Sequence, residues 1–171
     1  AYGIARDWSS DVCSSDLLYG SMATDMAWRI RPGFILYQTL LWDELSWLDL
    51  FKDWWGNKYA YQAGIFYAPN NIRLPDIRLE YTLCRPWLYT HSDFPYSHAG
   101  QFLGFPYGPS SRVTRLETFW FPTNRIELTA SLESVEKGTG FGSNISDNYD
   151  ERDKSLDLST PLLLKPIEKS F

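Results

Sequence analysis

Several groups of side chains in this chain have the types and spacing to do chemistry. Asp43 beside Glu44, or Glu80 with Glu117, could act as the acid and base of a glycoside hydrolase, which needs two carboxyls at a controlled separation across the scissile bond. Arg78, Arg115 and Arg125 accompany these acids, and interleaved opposite charges read more simply as a structural ion-pair ladder. Nothing marks one acid as having the raised pKa that proton donation requires. His91 and His98 stand seven apart with no cysteine nearby and only Asp93 as an acidic neighbour, poorer than a zinc ligand set. The run from Ser146 to Asp153 has the acidity of a calcium loop but lacks its spaced ligands and its glycine. There is no Gly-x-Ser-x-Gly elbow and no phosphate loop. The expectation is a protein that is not an enzyme, with no cofactor and no metal.

The segment Pro86–Arg112 offers a different chemistry. Trp87, Tyr89, His91, Tyr96, His98 and Gln101 lie in it among Gly and Pro, followed by Phe105 and Tyr107. Flat rings stack on the apolar CH faces of sugars, and His or Gln can hydrogen-bond hydroxyls, so the first six are candidate polysaccharide-binding residues. The same letters also suit a loop that folds inward as a packed plug, with Gly and Pro making turns and the aromatics packing.

The elements that must position this loop are strands. Alternation of apolar and polar residues predicts them at Met26–Arg31, Phe34–Trp42, Lys58–Tyr67, Ile77–Arg85, Val113–Phe121, Arg125–Val135 and, weakly, Leu156–Leu164. In Arg125–Val135, Ile126, Leu128, Ala130 and Leu132 fall on one face and Arg125, Glu127 and Glu133 on the other. A tilted strand crosses a bilayer in ~9–11 residues, which this segment supplies. Connections alternate: Pro32-Gly33, 68–76 and Pro122-Thr123-Asn124 are short, while 43–57, 86–112 and 136–155 are long. That parity is a mark of outer-membrane barrels, whose short turns face the periplasm. Trp28, Tyr67, Trp120 and Phe121 flank the short turns and Trp42, Trp54, Trp55 and Trp87 the long ones, as interfacial girdles would. Opposing Phe121 to Arg125 puts Glu117 against Thr129 and Arg115 against Ser131, which collects the charges of both strands on one face.

Composition sets bounds. Asp7–Leu17 reads DWSSDVCSSDL and resembles the in-frame translation of a sequencing adapter, so residues 1–17 are set aside as an artefact and residues 18–171 treated as an incomplete barrel segment. Removing Arg6, Asp7, Asp11 and Asp16 brings the net charge from −5 to −3, too mild to suggest a nucleic-acid partner. Cys84 is then the one cysteine left, which rules out an intrachain disulfide. No run of ~18 apolar residues exists. A mean hydropathy of −0.33 still suits membrane strands, whose faces alternate.

The words Glu80-Tyr81-Thr82, Arg85-Pro86-Trp87, Tyr89-Thr90-His91, Tyr96-Ser97-His98, Gly100-Gln101, Leu103-Gly104 and Gly108-Pro109-Ser110, in this order, resemble the capsule-assembly Wzi-like family of bacterial outer-membrane proteins. Leu36-Tyr37 to Trp42-Asp43-Glu44 and the run Asp53-Trp54-Trp55-Gly56-Asn57-Lys58 extend the likeness, with Asp43-Glu44 where many relatives have Asp-Asp. The resemblance implies a barrel of about eighteen strands that attaches capsular or exopolysaccharide to the cell surface. Six or seven strands would then be an internal fragment unable to close alone, with two free edges. The fold expectation is an all-β antiparallel meander, part of a large outer-membrane β-barrel, with outer-membrane lipid and capsular or extracellular polysaccharide as partners. A passive outer-membrane pore and a soluble all-β carbohydrate-binding or glycan-cleaving domain are the alternatives.

Overall fold

The computed structural model describes residues 21–44, 52–71, 73–90, 97–98, 101–102, 104–123 and 125–171, so the expectation for residues 1–17 falls outside it. Nine strands are described: β1 Met22–Arg31, β2 Phe34–Glu44, β3 Lys58–Tyr67, β4 Asp76–Cys84, β5 Ser97–His98, β6 Gln101–Phe102, β7 Ser111–Thr123, β8 Ile126–Gly138 and β9 Ile167–Ser170. Seven of them form one sheet in the order β1-β2-β3-β4-β7-β8-β9, each antiparallel to its neighbours. β5 and β6 make a separate hairpin inside the long connection, so β4 skips it to pair with β7. The protein is therefore all-β, an antiparallel meander whose sheet is open, with β1 and β9 at its edges. Among the described residues no helix is long and apolar enough to cross a membrane, which says nothing about crossing by strands.

Two expectations are corrected. Leu156–Leu164 is not a strand: Lys154–Leu156 is a short 3-10 turn capped by the Asp153 side chain, and the last strand begins only at Ile167, after Pro166. Leucines at 156, 158 and 162 imitated a period of two, but Pro161 cannot donate to a ladder and the Asp153 cap starts a turn. In the β7–β8 pair, Glu117 opposes Ser131 and Arg115 opposes Glu133, two residues away from the predicted register. The hairpin closes on a Thr123–Ile126 pair, three off the predicted register, and the irregularity after Trp120 takes one residue back, leaving a shift of two. A slip of two preserves the face of every side chain, so the charges still share a side.

Pairing carries one row of residues straight across six strands. Trp28, Leu36, Ile65, Leu79, Leu116 and Leu132 are successive register partners from β1 to β8. The adjacent row on the opposite face is Ala27, Tyr37, Gly64, Glu80, Arg115 and Glu133. In a sheet with one dry and one wet side, the apolar row would be the covered one. Here the order is reversed: Leu132 is 65% exposed, whereas the Glu117 side chain on the charged face is 15% exposed. Arg78 pairs with Glu117, Arg115 donates to Glu133, and the Tyr37 hydroxyl donates to Glu80 at 2.8 Å. Tyr37 reaches Glu80 by lying over Gly64, where an added Cβ would come within 2.2 Å of its ring.

Candidate functional site

The charged face is covered at one end, where the long connections lie. Arg85-Pro86-Trp87-Leu88-Tyr89-Thr90 turns back from the end of β4 and drives Leu88, fully buried, against Cys84 and Tyr89, with Leu41 and Ala60 of the same face packed beneath. Trp87 and Tyr89 take φ of 64° and 66°, a left-handed conformation uncommon for aromatic residues and sustained where surroundings over-determine it. Those surroundings are explicit. The Trp87 N–H donates to the Gly142 carbonyl at 2.9 Å, the Tyr89 N–H to the Asp43 carboxylate at 2.9 Å, and the Thr90 hydroxyl to the Trp87 carbonyl at 2.6 Å. The Trp87 ring meets Phe141 edge-on at 5.3 Å and lies over Gly142, whose own φ is 101°.

Cations join the long connections to one another. Arg85 donates to the carbonyls of Trp54 at 3.2 Å and Thr160 at 3.4 Å, and sits over the Tyr59 ring. Its Nε is buried and has no hydrogen-bond partner among the described residues, so packing contributes to holding the guanidinium beside its other bonds. Lys137 donates to the carbonyls of Tyr107 and Ser143, each at 2.9 Å, and to that of Pro109. Lys58, fully buried, reaches the Thr90 carbonyl at 3.3 Å and lies over the rings of Trp55 and Tyr149. Arg152 stacks on Trp55, 3.7 Å from the ring centre, and pairs with Asp157. Backbone bonds from Trp55 N–H to Asp157 and from Thr160 N–H to Asp53 complete the lacing. Tyr107 fixes this layer to the sheet by donating to Glu133; that bond, reinforced by desolvation and the carboxylate's charge, pushes its phenol pKa up.

The six predicted binding residues are distributed unevenly in this layer. Trp87 and Tyr89, at 4% and 5% exposure, are inside it. His98 and Gln101 are register partners in the β5–β6 hairpin, and His91 and Tyr96 lie outside the described residues. Of the acids considered for hydrolysis, Glu80 and Glu117 stand diagonally on one face, each directly opposite an arginine: Glu80 opposes Arg115, and Glu117 opposes and binds Arg78. Among the described residues no group of three or more His, Cys, Asp or Glu side chains is placed to hold a metal ion. Sequence reasoning missed Lys58, Arg85 and Lys137 as anchors. Their signal was available, since each stands at a strand end beside a long connection, and Lys58 and Lys137 keep the parity of the charged face.

Compared with protein families, curated proteins and solved structures, the chain matches none.

Proposed function

We propose that this chain is a section of a Gram-negative outer-membrane β-barrel that helps to hold capsular or extracellular polysaccharide at the cell surface without catalysing a reaction. The observation that carries the membrane part is the reversal of faces: an apolar row exposed at Trp28, Ile65, Leu79, Leu116 and Leu132, and an ion-paired row half-covered. An apolar side chain left in water forgoes ~1.5–3 kcal/mol of burial, whereas a surface ion pair returns only ~0–1 kcal/mol. Water alone would favour the opposite arrangement, and a hydrocarbon environment on the apolar side favours this one. The alternation of short and long connections supports the same orientation, with 32–33, 68–75 and 124–125 periplasmic. The capsule part rests on the resemblance of the words from Glu80 to Ser110 to the Wzi-like family.

A passive pore is the second reading, favoured by the burial of Trp87 and Tyr89, which suits residues that plug the loop inward better than residues that stack on a polymer. Glycan contact then falls to Tyr96, His98 and their neighbours. The test is to express wild type and Tyr96→Ala/His98→Ala in full-length protein at matched outer-membrane levels and compare cell-bound with released polysaccharide. A lower bound fraction in the variant is expected, and a double change is needed because multivalent attachment hides single losses. Equal fractions, with the barrel intact, would leave the pore as the better reading.

A further inference from the structure

Two depressions on the apolar side of the sheet share a residue and differ in character. The first is a groove of about 390 Å³ across β1–β4, walled by Met26, Trp28, Tyr61, Ile65, Leu79 and Tyr81, where Ala63 leaves a gap in the middle of the sheet. The second, of about 300 Å³, is lined by Tyr81, Thr114, Ser134, Arg112 and Glu136. Tyr81, Thr114 and Ser134 are register partners, so the two depressions meet along one row. Arg112 and Glu136 stand one row further toward the long connections, and Lys169 on β9 opposes Glu136.

The polar end is cationic. Glu136 accepts from Arg112 Nε at 2.6 Å and from Lys169 Nζ at 2.8 Å, so one carboxylate holds two cations and a positive charge is left over. Both cations remain reachable, with side chains 45% and 59% exposed. From the Leu116–Leu132 row to the Arg112–Glu136 row is four residues, ~13 Å along the strand or ~10 Å in depth at the usual tilt. That places the cations near the rim of a ~25 Å apolar band, where a charge costs little, on the side of the long connections. An apolar groove toward the middle, hydroxyls next and cations at the rim is the polarity sequence of a phosphorylated lipid.

We infer that the outward face binds a phosphate-bearing lipid of the outer leaflet, with its phosphate on Arg112 and Lys169 and an acyl chain in the groove beside Ala63. The inference rests on the outer-membrane reading. Glu136 holds the two cations in place and is also the built-in anion with which the phosphate competes. Hydroxyls of Thr114, Ser134 and Tyr81 supply neutral donors beside it.

The test uses full-length protein in detergent, titrated with diphosphorylated lipid A and with the same lipid after enzymatic removal of its phosphates. Wild type should bind the phosphorylated form about tenfold more tightly. Arg112→Gln/Lys169→Gln should abolish that preference while gel mobility of the folded barrel is kept. Glu136→Gln should tighten binding severalfold, a gain that misfolding cannot produce, so it decides the matter if the double variant fails to fold. Equal affinity of wild type for the two lipids, or a Glu136→Gln variant no tighter than wild type, would overturn the inference. Protein that inserts into vesicles yet shows no phosphate preference loses only this site. Protein that is soluble and monomeric without detergent loses the membrane reading as well.

Discussion

Replacing Leu132 by arginine separates a membrane sheet from a soluble one with unusual clarity. Leu132 stands in the apolar row with Leu116 as its register partner, and at 65% exposure its side chain touches little protein. If water surrounds it, the substitution removes few contacts and leaves stability within about 0.5 kcal/mol, as for most surface changes. If lipid surrounds it, an arginine near mid-depth costs ~2–4 kcal/mol, or roughly a 30- to 1000-fold shift in the ratio of folded to unfolded protein. The two environments thus predict effects that do not overlap. Glu127→Gln, one face over on the same strand, is the control and is expected to be tolerated. The assay is reversible unfolding in urea of full-length protein in vesicles, read by tryptophan fluorescence and by the heat-dependent gel shift of the folded state. A Leu132→Arg variant as stable as Glu127→Gln would refute the assignment of the apolar face to lipid.

Further expectations concern the layer of long connections. Gly142→Ala places a Cβ 2.5 Å from the Trp87 ring at a φ of 101°, so the 139–166 segment should loosen and become sensitive to limited proteolysis while the sheet persists. Tyr107 has its pKa raised by its bond to Glu133, so the stability it contributes is complete below its ordinary value near 10 and is lost as pH rises beyond that. The phenolate absorbance curve should lose one late-titrating component in Tyr107→Phe, and a titration curve unchanged by that substitution would contradict the Tyr107–Glu133 contact.

The sheet was legible in the sequence because a period of two survives small errors of boundary. Lys58–Tyr67 is bounded as predicted, and the faces of β4, β7 and β8 came out as expected although the β7–β8 register was displaced by two. Turn geometry was what failed, since the hairpin closes on Thr123–Ile126 rather than Phe121–Arg125 and the irregularity after Trp120, which no residue type announces, recovers only one residue of that shift. The binding loop was less legible for a chemical reason. An aromatic ring that stacks on a sugar and one that packs beneath a loop are the same letter, and only the company of Leu88 and of distant Gly142 and Gly104 distinguishes Trp87 and Tyr89 as interior residues. The acids were more legible: Glu80 and Glu117 interleaved with Arg78 and Arg115 read as an ion-pair ladder, and the register sets an arginine opposite each.

The lacing of the long connections also bears on where this chain tolerates change. Connecting segments usually accept insertions and drift because they run over the surface. Here Pro86, Leu88, Thr90, Pro109 and Ser110 are fully buried, and Arg85 alone ties its strand to Trp54 and Thr160. Added residues there would have to break several bonds at once. In the exposed stretch around Arg73-Leu74, the bonds seen among the described residues are local ones, from the Arg73 and Leu74 N–H groups to Asn71. An epitope tag or a reporter peptide belongs at that short connection, and the long ones, which look like the natural place for variation, are where the architecture is least forgiving.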